Sequence, residues 1–283
     1  MKKAMKRFYQ FLKKYNLINL TFLVAMLIVT YLPVLVLTVY SFTDSSVIGV
    51  WSGFSLELYK ELFSDAEILG ALQNTVIIGV VASILAVILG TLASIGIYEM
   101  KRIPKMLTEG ANQITMVNAD IVTAVGFMLL FLFVIVIPSD YLALIIAHTV
   151  ICTPYVVMNV LPKLSQLNPN VYEAGLDLGA KPMRTILTVI LPQLLPGILS
   201  GFVLSFTISL DDFTISTLVS SNVDTIPRYL YNKLKVKGVM PVLRALSVAI
   251  MVVVFLVLIA INVTNIQMDK KKNKIEKLNG GKK

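Results

Sequence analysis

The sequence predicts an all-α, polytopic membrane protein with six transmembrane helices. Three observations carry that prediction. Of 283 residues, 57% are hydrophobic and the mean hydropathy is +0.81, well beyond the apolar share of ordinary soluble domains. The apolar residues gather into runs near 17–41, 71–98, 112–137, 141–161, 192–218 and 241–266, lengths that suit the roughly 20 residues a helix needs to cross a bilayer. Most of the Lys and Arg residues behind the net charge of +9 lie beside these runs, as the positive-inside rule expects.

Taken in order, the basic segment 1–16 carries Lys2, Lys3, Lys6, Arg7, Lys13 and Lys14. It is followed by an apolar run too long for a secretory signal and without a small-residue cleavage site, so that run is expected to stay as the first helix. The outer loop Phe42 to Gly70 should hold a short surface helix, with Leu58, Leu62 and Phe63 apolar and Glu57, Lys60 and Glu61 pointing elsewhere. Trp51 before it suits the membrane interface. After the second span, Lys101, Arg102 and Lys105 place the next connection inside. The third span contains Asp120 in NADIVTAVGF. In the fourth, Thr153-Pro154 should kink the helix, because proline removes a hydrogen bond and crowds the preceding turn. Cys152 and His148 in that span read as packing elements, the histidine hydrogen-bonded. The fifth span contains Asp211 and Asp212 in LSFTISLDDFTIS. The last outer connection breaks the charge rule with Arg228, Lys233, Lys235 and Lys237, which points to packing against protein or a soluble partner. A tail over 267–283 carries Lys270, Lys271, Lys272, Lys274, Lys277, Lys282 and Lys283, so both termini are expected in the cytoplasm. The membrane domain then covers 17–266.

Several classes of function are excluded or demoted. The basic residues are explained by lipid headgroups and topology, so nucleic acid is not the implied partner. A single cysteine rules out an internal disulfide framework. There is no G-x-x-x-x-G-K-[ST] phosphate loop, so ATP should be bound and hydrolysed elsewhere, and no His/Cys cluster for a metal. The chain reads as a non-catalytic subunit.

The intramembrane carboxylates carry the chemistry. A charge near the middle of a membrane helix costs about 2.5 to 3.5 kcal/mol on insertion scales, so such acids usually face a cavity or a cation. Asp120, Asp211 and Asp212 are therefore candidates for a cation pathway; the alternative is a structural pair of Asp211 or Asp212 with Arg244. Ser205, Ser209, Asp212 and Ser216 share one face of the fifth helix, whereas Asp211 has Thr207 and Thr214 as its polar neighbours. Adjacent residues differ by about 100° around a helix, so one aspartate at most points squarely down a pathway.

Between the fourth and fifth spans lies a polar segment punctuated by Gly and Pro, 162–191. Asn168 can cap a helix with Pro169 at its first position, Gly179 can take the left-handed conformation that ends it, and Pro182 can begin the next. Glu173 and Asp177, spaced i,i+4, present one acidic face.

The string EAGLDLGAKPMRTILTVILPQLLPG, residues 173–197, resembles the cytoplasmic EAA loop of ABC importer permeases. Glu173 and Ala174 open it, Gly179 follows at the family spacing and Ile190-Leu191-Pro192 closes it; Gly175 replaces the usual second alanine. With ADIVTAV, AHTVICTPYVVMNV and SFTISLDDFTIS, the chain is similar to PotC-like permeases of the spermidine/putrescine family from about Trp51 to the end of the sixth span. Ala119 departs from the proline common there. The resemblance implies a type I ABC importer permease fold and docking of Glu173, Ala174, Asp177, Gly179 and Pro192 on an ATPase. It further implies a substrate pathway at Asp120 and Asp211, to which the residue reading adds Asp212, Ser205 and Ser209. The implied partners are a homologous permease (PotB-like), an ATPase homodimer (PotA-like) that carries the ATP and Mg, and an extracytoplasmic polyamine-binding protein (PotD-like), which Trp51 could also meet. A permease for another solute, such as thiamine, an organophosphonate or iron, and a stand-alone secondary transporter are the competing readings.

Overall fold

The computed structural model describes residues 17–45, 49–137, 139–237, 241–256, 259 and 263. The basic segment 1–16, the tail 267–283 and the last turns of the sixth predicted span lie outside them. Among the described residues all regular structure is helical: α1 Leu17–Tyr40, α2 Glu57–Ser64, α3 Ala66–Glu99, α4 Arg102–Val117, α5 Asp120–Phe133, α6 Asp140–Ser165, α7 Asn170–Asp177, α8 Pro182–Asp211, α9 Thr214–Val219, α10 Ile226–Lys237 and α11 Val242–Leu256. Helices α1, α3, α6 and α8 are each long and apolar enough to cross a membrane.

The chain divides into two units. One comprises Met1–Asp65 with Lys237–Val253. In it α1 leads into a loop held by hydroxyl contacts, Thr43 Oγ1 to Ser52 Oγ at 2.8 Å and Ser41 Oγ to the Tyr59 hydroxyl at 2.8 Å. Rings of Phe54 and Tyr59 lie 5.5 and 5.3 Å from that of Phe42. The expected surface helix is α2. It buries Leu58 and Leu62, but Phe63 is 67% exposed, because Phe63 lies about 100° around the helix from Leu62. Arg244 is buried, and its guanidinium donates to the Ser45 carbonyl at 3.2 Å.

The second unit, Ala66–Val236 with Val254–Lys283, is built on α3, α6 and α8. Ala86, Cys152, Val156, Val160, Leu164, Ile190 and Leu194 form a buried core within it. Small residues let the helices close: a Cβ on Gly90 would lie 2.6 Å from Val156 Cβ, and one on Gly201 would lie 3.2 Å from Val156 Cα. Such close approach suits membrane helices, where packing rather than hydrophobic expulsion drives association.

Two predicted spans are broken. The third is not one helix: α4 and α5 meet at a 100° bend, where Asn118 (φ −63°, ψ 143°) and Ala119 (φ −64°, ψ 130°) are extended. The Asn118 amide donates to Thr123 Oγ1 at 2.9 Å, a local bond of the kind by which asparagine competes with the helix. The fifth ends as α8 at Asp211, and α9 restarts at Thr214. Helix α6, by contrast, runs unbroken through Pro154 and Pro162.

The basic outer connection is α10 and the loop before it. Arg228 donates to the carbonyls of Ser220, Val223 and Ser221 at 3.0, 3.0 and 2.9 Å and faces Asp224 at 3.3 Å. Lys233 pairs with Glu67. Two of the four unexpected cations thus pack against this protein itself.

Candidate functional site

The two breaks bring the predicted acids together. A cavity of about 290 Å³ is lined by Asp120 and Thr123 of α5, Thr115 and Met116 of α4, Tyr155 of α6, and Thr207, Asp211 and Asp212 at the end of α8. Asp120 is therefore not inside a continuous helix but the first residue of α5, and Asp211 is the last residue of α8. Both are exposed to this space and make no side-chain hydrogen bond or ion pair among the described residues. Asp120 gains from its position, because the first turn of a helix carries partial positive charge.

Asp212 is held differently. It sits in the extended break (φ −68°, ψ 118°), where its carboxylate accepts from the backbone N–H groups of Ile215 and Ser216 at 3.2 and 2.9 Å and from Ser216 Oγ at 3.2 Å. It thereby starts α9 as a capping residue. On its other side His148 Nε2 lies 3.6 Å from Asp212 Oδ2. The same ring has Nδ1 2.8 Å from Ser209 Oγ and Nε2 3.5 Å from Ser216 Oγ.

Ser209, Asp212 and Ser216 thus converge across the break between α8 and α9, and what they surround is the His148 imidazole. Ser205 is likewise buried: its hydroxyl donates to the Cys152 carbonyl, and the Cys152 thiol to the Ser205 carbonyl, both at 3.3 Å. Ser205 and Ser209 join α8 to α6 and do not line this cavity. The face that does is the other one, of Thr207 and Asp211. Thr115, Thr123 and Tyr155 escaped the sequence reading; Thr123 lies one turn after Asp120, the only signal that could have marked it.

Of the two short helices expected in 162–191, the first is α7; the second is not separate, because Pro182 opens α8, which continues through to Asp211. The Asn168 side-chain oxygen accepts the Asn170 N–H at 3.0 Å, and Pro169 already has helical dihedrals (φ −56°, ψ −32°). Gly179 has φ +80°. Its N–H donates to the Leu176 carbonyl and that of Ala180 to the Gly175 carbonyl, at 2.8 and 3.2 Å, a left-handed cap closed by a six-to-one bond. Glu173, Ala174 and Asp177 are exposed on α7. Gly175 is buried against α8: a Cβ there would lie 2.5 Å from Thr185 Cγ2, so the residue is required by its neighbour. Pro192 follows a π-helical turn over Ile186–Ile190. The wider turn suits a residue that cannot donate to the preceding turn and crowds its carbonyl.

A family model described as "Binding-protein-dependent transport system inner membrane component" matches residues 84–269. The chain belongs to that family. It is 34% identical over 233 residues to the spermidine/putrescine transport system permease protein PotC of Haemophilus influenzae, covering 82% of this chain and 90% of that one. It is equally identical over 233 residues to the putrescine transport system permease protein PotI of Escherichia coli, covering 78% and 81%. A bacterial ABC transporter involved in the import of the acidic polysaccharide alginate contains a chain of the same fold, with a TM-score of 0.69 at 16% identity over 92% of this chain and 99% of that one. This family member is a multi-pass inner-membrane transport subunit with the fold of a type I ABC importer permease.

Proposed function

We propose that the chain is the permease subunit of an ATP-driven polyamine importer, and that the cavity of Asp120, Asp211 and Asp212 is where the substrate cation enters its membrane pathway. The observation that carries this reading is chemical. Two carboxylates with no ion pair among the described residues, and Asp212 as a third, border one space together with the hydroxyls of Thr115, Thr123 and Thr207. An organic polycation supplies the missing charge. Similarity to permeases named for spermidine and putrescine supports the choice of cation.

In this reading a homologous permease (PotB-like) completes the pathway, an ATPase dimer (PotA-like) binds ATP and Mg on the cytoplasmic side, and a polyamine-binding protein (PotD-like) delivers substrate outside. Both termini of the chain are cytoplasmic. The α7 face of Glu173 and Asp177 docks on the ATPase, and Gly179 and Pro192 set the angles of the segment that carries its movement into α8. The carboxylates compensate lost hydration of the amines without binding them so tightly that release becomes slow. No covalent chemistry falls to this chain.

The test is uptake of radiolabelled spermidine into proteoliposomes holding the assembled importer. A carboxylate about 4 Å from an amine is worth up to roughly 4 kcal/mol at an effective dielectric constant of 20, before desolvation is subtracted. Asp120→Asn and Asp211→Asn should each lower uptake about tenfold or more, with assembly and ATPase recovery intact. Undiminished uptake in the double variant refutes the cation pathway.

A further inference from the structure

We propose that a second cavity, beside Met116, is a further cation station of the same pathway, with Glu109 as its carboxylate. This rests on the polyamine reading above and extends it. The second cavity measures about 490 Å³; Glu109, Asn112 and Gln113 of α4 and Ser165 of α6 are its polar border, and the rest of its lining, Met116 included, is apolar. Met116, with its flexible, unbranched side chain, lines both cavities.

The sequence builds this arrangement. Glu109, Asn112, Gln113 and Met116 follow the i, i+3, i+4, i+7 spacing that puts residues on one face of a helix, and Asp120 follows directly beyond the bend. Glu109 is half-buried and has no side-chain hydrogen bond or ion pair among the described residues. A basic partner was within reach: Lys105 is four residues earlier, one turn away. Its ammonium instead lies over the Tyr98 ring, 5.4 Å from the centroid. Asn112 is also committed elsewhere, donating to the Pro154 carbonyl at 3.3 Å. Glu109 therefore meets the condition that singled out Asp120 and Asp211, a carboxylate beside open space with no fixed cation. From Glu109 to the end of α4 is about 12 Å at the rise of an α-helix. A multivalent amine can thus exchange one carboxylate for the next without full rehydration, and several weak sites pass an ion faster than one tight site.

The experiment uses the complete importer in proteoliposomes. Glu109→Gln should lower the maximal rate of spermidine uptake about tenfold while half-saturation stays within about twofold, because capture from the binding protein precedes this station; Glu109→Asp should restore part of the rate. Met116→Trp, which enlarges the side chain common to both cavities, should stop uptake with assembly intact. A readout independent of the transported solute uses Ser165→Cys, with the native Cys152 buried. The ratio of its reactivity toward a cationic and an anionic methanethiosulfonate should fall about tenfold when Glu109→Gln is added. If the unsubstituted importer moves no spermidine but this ratio falls, the station stands and the polyamine assignment fails. An unchanged maximal rate in an importer that does move spermidine, or an unchanged reactivity ratio, overturns the station.

Discussion

Replacing His148 by Leu should loosen the junction between α8 and α9 more than any conservative core change. The imidazole and the Asp212 carboxylate have side chains only 1% and 9% exposed. At 3.6 Å the ring nitrogen and the carboxylate oxygen are in contact but beyond hydrogen-bond distance. Asp212 keeps the N–H groups of Ile215 and Ser216 and the Ser216 hydroxyl, so the loss should be that of buried polar groups left without a partner, about 1 to 3 kcal/mol. Ser209 Oγ, 2.8 Å from Nδ1, loses its imidazole partner as well, which favours the upper half of that range. A melting point lower by about 5 °C in detergent follows, with a smaller drop for His148→Asn, which keeps a donor. Combining His148→Leu with Asp212→Asn separates the pair from simple packing: coupled residues should show about 1 to 2 kcal/mol of non-additivity. Strict additivity, or an unshifted melting point in His148→Leu, would refute the role given to this contact.

Gly175→Ala should disturb the coupling segment, because its Cβ would lie 2.5 Å from Cγ2 of the fully buried Thr185; overpacking of this kind costs about 1 to 3 kcal/mol. Recovery of the ATPase subunit in pull-downs should fall, and Thr185→Ser, which deletes that methyl, should restore it. Arg228→Ala should free the loop before α10, since one guanidinium holds the carbonyls of Ser220, Ser221 and Val223. Hydrogen exchange at residues 220–225 should accelerate at least about tenfold, and Arg228→Lys should recover little, because an ammonium lacks the planar fork.

The sequence made the class of the protein legible because the signals are cooperative: each apolar run must satisfy its own backbone in lipid, and helices are the natural result. The segment after α6 was equally readable, since Asn168, Gly179 and Pro182 each solve a local backbone problem that few other residues can. The breaks at Asn118–Ala119 and at Asp212 were not readable. Both lie inside runs whose hydropathy suits an unbroken span, and neither contains Gly or Pro. What opens them is side-chain chemistry, the Asn118 bond to Thr123 and the Asp212 bonds to α9, which competes with the helix only once the chain is folded. Helical phase grouped Ser205, Ser209, Asp212 and Ser216 on one continuous helix, whereas the break at Asp212 divides them between α8 and α9. It could not say that the group faces a histidine 61 residues from Ser209 rather than a passage.

The breaks also explain how three acids persist in an apolar region with so little fixed positive charge. Asp120 opens α5 and Asp212 caps α9, so the backbone N–H groups at those helix starts take part of the stabilising role that a lysine or arginine would otherwise play. A continuous helix offers no such groups, because its interior N–H donors are already committed to carbonyls four residues back. Asp211, at the C-terminal end of α8, has no comparable donor and lies where the helix end is partly negative. It is therefore the carboxylate with most to gain from a cation in the cavity. Asp211→Asn should for that reason reduce cation affinity more than Asp212→Asn, while Asp212→Asn should cost more stability. Spermidine uptake and melting points measured on the same two preparations would test this, and the opposite ranking in both would show that the helix ends do not set the roles of these neighbours.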